Sequence, residues 1–267
     1  MWRLSNVNVG IRVRDAARDP VYDVLERFPR LWCAYIRVRT PHYRLVTPKT
    51  DIVIDGFQGS AQTFALHAFL AVNPDTQVAS HMHNPAHLVV AVRMGLPTLL
   101  IVRDPIDAVA SWTVRQEGTD PQVELRRWEW FHRRVLAHLG GMVVTPFEQV
   151  TRSFGDVITE LNARYDRSFA PFPHSDQHAV DTLLKDMRTY SVQSHGEERG
   201  DLIAPTPSIA RDEGLAEVRQ RLLNPDLAAL RADVQSLYHR VVAHVDPGTH
   251  EERQSSSRQA RPSGSPS

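Results

Sequence analysis

The chain has 267 residues, 42% hydrophobic and 23% charged, which excludes wholesale disorder and suits one large α/β domain or two small ones. Lysine plus arginine and aspartate plus glutamate both number 31, a balance that argues against a generally basic nucleic-acid binder. A single cysteine, Cys33, excludes an internal disulfide framework and a cysteine-based zinc site. Residues 1–48 read as an N-terminal extension. Asp19-Pro20 opens a short helix through Leu25 and Phe28, and Pro41 and Pro48 break the chain. The aromatic and arginine-rich stretch Leu31 to Arg44 reads as a strand with one solvated face, from the alternation of Arg37 and Arg39. The other reading of that stretch is a contact with an anionic acceptor, a membrane surface or a second subunit.

Residues 49–245 read as one α/β domain. Asp51-Ile-Val-Ile-Asp55 is a short buried strand, Gly56-Phe-Gln-Gly59 a turn, and Ser60 to Val72 a helix stopped by Asn73-Pro74. A second strand is expected over Thr76–Ala79, then a helix from Pro85 to a Gly95 C-cap. Thr98-Leu-Leu-Ile-Val102 is the cleanest strand, followed by a helix capped by Asp104-Pro105. Val123 to Leu139 reads as a long amphipathic helix and Met142 to Thr145 as a further strand. Helices are expected over Phe154–Tyr165, Val180–Met187, Gly214–Leu223 and Pro225–His244. Strands separated by helices imply right-handed crossovers, a mainly parallel sheet and a three-layer α/β/α arrangement with a helical C-terminal part. Residues 246–267, rich in Gln, Ser, Arg, Pro and Gly, have nothing to bury and read as a disordered tail. No run of 18 apolar residues occurs and Met1-Trp-Arg-Leu-Ser-Asn lacks an apolar targeting core, so a cytoplasmic protein without an integral membrane segment is expected.

Three segments carry candidate chemistry. The strand–loop–helix at Asp55 to Phe64 aims backbone N–H groups and a helix dipole at one point, with Gly59 and Ala61 leaving room for an anion and Ser60 and Thr63 adding hydroxyls. It is not a Walker A loop, since no Gly-Lys-Ser/Thr follows, and a plain βα turn is the alternative. Arg103 stands at the carboxyl end of a central strand, where open α/β sheets bind ligands, and Ser111 follows two helical turns later. The pair suits a phosphate, and a salt bridge to Asp104 or Asp107 is the alternative. His81 and His83, at i and i+2 on a strand end, face one side. A third metal ligand is missing, so a general base suits them better than zinc.

In this order, these segments resemble the sulfotransferase family, which uses 3′-phosphoadenosine 5′-phosphosulfate as sulfuryl donor. The family's 5′-phosphosulfate loop, Pro-Lys/Arg-Ser-Gly/Ala-Thr/Asn-Thr-Trp/Phe, corresponds to Gln58-Gly-Ser-Ala-Gln-Thr-Phe64. Its 3′-phosphate Arg and Ser correspond to Arg103 and Ser111, its catalytic His before a Pro to His83 and Pro85, and its later strand with a Tyr/Phe-Glu pair to Val143 through Glu148. The resemblance spans residues 50–165, and Arg199-Gly200 or Pro205–Arg211 is the nearest counterpart of the family's late nucleotide-closing loop. It implies a P-loop-like fold and sulfuryl transfer to a hydroxyl of a small molecule or glycan, with no metal and no nucleic-acid partner. His83 would be the base; Gly59, Ser60, Ala61, Gln62, Thr63 and Phe64 would surround the 5′-phosphosulfate; Arg103 and Ser111 would hold the 3′-phosphate.

One departure stands out. Gly59 occupies the position of the family's loop Lys or Arg, and loss of such a donor costs on the order of 2–4 kcal/mol in the transition state. Gln58, Gln62, Lys49 or a protonated His81 are the candidates to replace it. Two other readings follow: a nucleotide-binding homologue with little or no activity, and a P-loop kinase, which the missing Gly-Lys-Ser/Thr and the absence of an obvious magnesium-binding Asp disfavour.

Overall fold

Four short apolar runs pair as strands in a computed structural model, which describes residues 28–39, 44–116, 118–195 and 209–245. They are β1 (Ile52–Gly56), β2 (Val78–Ser80), β3 (Thr98–Val102) and β4 (Val143–Pro146), arranged β2-β1-β3-β4 with every neighbour parallel. Every residue of β1, β2 and β3 is buried. That is the pattern of a parallel sheet covered on both faces, and it explains why these strands read as continuous apolar runs rather than alternating ones.

Helices fill both faces. Ahead of the sheet comes α1 (Pro29–Arg39); α2 (Gln62–Val72) joins β1 to β2, and α3 (Pro85–Arg93) joins β2 to β3. Because β1 is central, the first crossover moves one way along the sheet and the second moves back, so right-handed connections send α2 and α3 to opposite faces. On the α3 side lie α1, α4 (Pro105–Arg115), α5 (Pro121–Val135), α8 (Ile209–Leu222) and α9 (Ala228–Val242), around a core that includes Trp32, Leu88, Leu100, Trp128 and Val234. On the α2 side lie α6 (Phe147–Tyr165) and α7 (Gln177–His195), with Ile54, Phe69, Leu99, Phe154 and Met187 between them and the sheet. The chain is thus an α/β protein with three layers. Proline starts α3, α4 and α5, each behind an Asn or Asp whose side chain accepts backbone N–H groups: Asn84, Asp104 and Asp120.

Several boundaries differ from expectation. Leu31–Arg39 is helix, not strand, because Trp32, Cys33 and Ile36 sit at helical spacing and bury together against α3. The helix expected to Leu139 ends at Val135, and a 3₁₀ turn continues to Gly141. Pro146, at the N-cap, lets α6 begin at Phe147 rather than Phe154, with a break in the helical backbone at Ser153. The helix expected near Val180–Met187 extends over Gln177–His195, and a 3₁₀ turn at Pro225–Leu227 precedes α9. The predicted Asp19-Pro20 helix start, Arg199-Gly200, residues 205–208 of the late loop and the 246–267 tail lie outside the described residues. Among the described residues, no helix is long and apolar enough to cross a membrane.

A buried histidine marks the α5 face. The His132 ring stacks on Trp128 at 3.8 Å between centroids and donates from Nδ1 to the Trp128 carbonyl at 2.8 Å, while Nε2 is buried with no partner. Burial pushes its pKa from 6.5 down to about 3. The unfolded chain therefore binds a proton at this residue that the folded chain refuses, so stability falls as pH drops from 6.5 toward 3. His132→Phe is expected to flatten the decline in urea-unfolding free energy between pH 6 and pH 4.5 by about 1.4 kcal/mol per pH unit. An unchanged slope would show that His132 is protonated in the folded protein.

Candidate functional site

The crevice lies where the sheet reverses its winding. The loop after β1 leads to α2 on one face and that after β3 to α4 on the other, so the carboxyl ends of β1 and β3 part their connections. Gly56 ends β1, and a Cβ there would overlap the Ile101 carbonyl oxygen of β3. The loop from Phe57 to Ala61 then turns sharply, with Gly59 at φ +80° and Ala61 at φ +67°. Ala61 is the N-cap of α2 and supplies no side-chain cap, which leaves the first backbone N–H groups of the helix directed at the loop mouth.

Within this loop Ser60 is fully buried and its Oγ has no partner. Gln62 is buried and spends its Nε2 on the Phe57 carbonyl at 2.7 Å, so it stiffens the loop from inside. Thr63 Oγ1 lies 3.1 Å from His81 Nε2. Phe64 turns away, its ring packed edge-on against Phe172 and tilted against His174, so only its backbone belongs to the loop mouth. Gly59 admits no larger residue: a Cβ would overlap the Ala108 carbonyl oxygen of α4, and φ is in the left-handed region.

On the β3 side, Arg103 donates from Nη1 to the Gly59 carbonyl at 2.9 Å, and its guanidinium lies 3.9 Å over the Phe147 ring at the start of α6. Ser111 is buried on α4, where its Oγ accepts from Arg211 Nη2 at 3.1 Å. Arg211 comes from α8, one hundred positions along the chain. Arg115, one turn beyond Ser111, has a buried Nε without a partner. Desolvation first, then the charges of Arg211 and Arg103, pushes its pKa down to about 9. Burial also lowers Arg103, against the raising charges of Asp107 and Glu148, and burial followed by the charge of Arg103 lowers Arg211. Three guanidiniums therefore crowd one region, an arrangement that an anion would relieve. Arg219 instead pairs with Asp107, both nitrogens within 2.9 Å of Oδ1.

The histidine segment owes its shape to Asp55. This carboxylate is fully buried, and Oδ1 accepts from Gly56 N at 2.9 Å and His83 N at 3.3 Å. Oδ2 accepts from Met82 N at 3.1 Å and His87 Nδ1 at 2.8 Å. Burial alone would raise its pKa, but the His87 hydrogen bond and the other donors outweigh it and hold the carboxyl below its usual range. His87 Nε2 in turn accepts from Val46 N at 3.0 Å, which places the ring proton on Nδ1. The strand ends at Ser80, and His81 and His83 both adopt left-handed backbone, φ +62° and +49°. They are therefore not alternate residues of one strand, as their spacing suggests; their rings meet edge-on at 5.7 Å. Among the described residues no group of three or more metal-ligating side chains gathers.

His83 Nδ1 donates to the Gly56 carbonyl at 3.1 Å and lies 3.8 Å from Asp55 Oδ1, so in the neutral ring Nε2 carries the lone pair. That is the layout of a base oriented by a carbonyl and a carboxylate behind it. His81, between Ser80 Oγ at 2.7 Å and Thr63 Oγ1 at 3.1 Å, is pushed by burial and the neighbouring His83 to about 3. It is neutral near pH 7 and provides no loop cation. Lys49 provides none either: it precedes β1, at the amino end of the sheet, beside Arg167 and Ser168.

The sequence reading names Arg103, Ser111, His83 and the loop as candidates and gives no role to Asp55, His87 or Arg115, which the structure sets beside them. Their signals are an acid closing an apolar strand, a second histidine four residues after His83, and an arginine four residues after Ser111 on one helix face. No protein-family model matches the chain, and no curated protein matches it in sequence.

Asp55→Asn is expected to lower unfolding stability by about 2–4 kcal/mol in urea titrations, because an amide cannot accept from all four donors. Gly59→Ala is expected to destabilise by about 1–3 kcal/mol through backbone overlap and strain. A neutral result for either would show that the loop has room to relax.

Proposed function

We propose that the protein is a sulfotransferase that moves a sulfuryl group from 3′-phosphoadenosine 5′-phosphosulfate to a hydroxyl of a small molecule or glycan in the cytoplasm. The observation that carries the reading is convergence: the oriented His83, the amide-lined loop 59–64 with the unpartnered Ser60 hydroxyl, and the arginines around Ser111 meet at the carboxyl ends of β1 and β3. In the proposed reaction an acceptor oxygen attacks sulfur in line and forms the new S–O bond. The S–O bond to the 5′-phosphate breaks, and the acceptor proton passes to His83 Nε2. The leaving group is 3′-phosphoadenosine 5′-phosphate. Amides at the α2 N-terminus, Ser60 and Thr63 stabilise the charge gathering on the 5′-phosphate, while Arg103, Ser111 and Arg211 hold the 3′-phosphate.

A second reading rests on Gly59. No cation stands at that loop position and none fits there in this backbone conformation, so a protein that binds the nucleotide without transferring the group is the alternative.

Isothermal titration with 3′-phosphoadenosine 5′-phosphate tests the binding shared by both readings. Micromolar affinity is expected, with a loss of about 10- to 100-fold in Arg103→Ala, the size of a charged hydrogen bond. Absence of binding would overturn both. Release of the bisphosphate from the donor across a panel of hydroxyl acceptors separates them. Turnover that falls about 10²- to 10⁴-fold in His83→Ala supports the base, whereas binding without turnover supports the second reading.

A further inference from the structure

Three of the six large hydrophobic side chains exposed among the described residues lie on α1 or next to it: Phe28 at 55%, Leu31 at 55% and Val38 at 83% exposure. Trp32, Cys33 and Ile36 turn the other side of α1 into the core against α3. At 100° per residue, Phe28, Leu31, Ala34 and Val38 form one outward apolar stripe, with the half-buried Tyr35 at its edge against the core. Arg30 and Arg37 border it on one side and Arg39 on the other. No Asp or Glu occurs from residue 28 to residue 44. The helix is anchored at its end, where Arg37 Nη2 donates to the Val46 carbonyl at 3.1 Å.

The geometry points to α1 as an interfacial docking helix that seats on an anionic lipid surface, its apolar stripe at the acyl boundary and its arginines on the phosphate headgroups. An apolar stripe edged by cations matches the layering of such a surface, in which apolar chains lie beneath a plane of negative charge. A second copy of the chain fits less well, since pairing two such faces brings their arginine borders together with no acid on either helix to offset them. A nucleic-acid backbone would leave the stripe in water. The docking is independent of the sulfuryl-transfer reading.

The test is co-sedimentation of the full chain with phosphatidylcholine vesicles, with and without about 30 mol% phosphatidylserine. Binding is expected to be about tenfold or more stronger on the anionic vesicles and to weaken in about 0.5 M salt. Two double variants, Leu31→Glu with Val38→Glu and Arg30→Gln with Arg39→Gln, change exposed positions only; each is expected to bind about tenfold more weakly with an unchanged thermal midpoint. Wild-type binding that ignores phosphatidylserine, or variants that bind as well as wild type, would overturn the inference. So would a dimer, seen by light scattering, that Leu31→Glu with Val38→Glu dissociates.

Discussion

A single buried carboxylate organises one end of this protein. Asp55 sits one residue beyond the last β1–β2 pair, still in register with Leu100 of β3, and withdrawing its charge from water is tolerable only because four donors converge on it. Two of these are the amides of Met82 and His83, in a segment with left-handed backbone at His81 and His83. Such conformations are unfavourable for residues with a side chain and persist where their surroundings hold them. The same carboxylate fixes the His87 proton on Nδ1, which frees Nε2 to take the Val46 amide, and Val46 also accepts from α1 through Arg37. A chain of hydrogen bonds thus runs from the α1 helix through the core to the imidazole facing the crevice.

Charge is unevenly divided across that crevice. On the β1 side the loop offers amides and hydroxyls, with a glycine that the Ala108 carbonyl keeps small. On the β3 side Arg103 lowers the proton affinity of Arg115 and Arg211, and Arg211 lowers that of Arg115, while Asp107, Glu148 and Asp104 partly offset the charge of Arg103. Keeping like charges together in a partly dehydrated place is unfavourable without a counter-ion, so the arrangement suits an anion whose larger charge faces β3. Arg103 joins the two sides by gripping the loop through the Gly59 carbonyl while resting on Phe147. A ligand that displaced either contact would shift the loop and the arginines together.

Much of the fold was legible because its determinants are local. Apolar runs at 52–56 and 98–102 are long enough to read as buried parallel strands, and Asn84-Pro85, Asp104-Pro105 and Asp120-Pro121 announce helix starts through capping chemistry that acts within three residues. The stretch 31–39 misled because Arg37 and Arg39 alternate as a strand would, while the residues that decide the matter, Trp32, Cys33 and Ile36, declare a helix only once α3 is there to bury them. The expected pairing of His81 with His83 failed for a related reason, since β2 stops at Ser80 and the backbone reverses its sense.

By itself the sequence determined the strand–loop–helix, the arginine at the end of β3 and the histidines before Pro85, all readable within a dozen residues. Tertiary structure alone decided which of them meet. Asp55 finds three of its four donors 27 to 32 positions away, Arg103 reaches the Gly59 carbonyl across 44 and Arg211 reaches Ser111 across 100. Hydrogen bonds and charges act through space, and periodicity along the chain carries no record of the distance that folding closes between them.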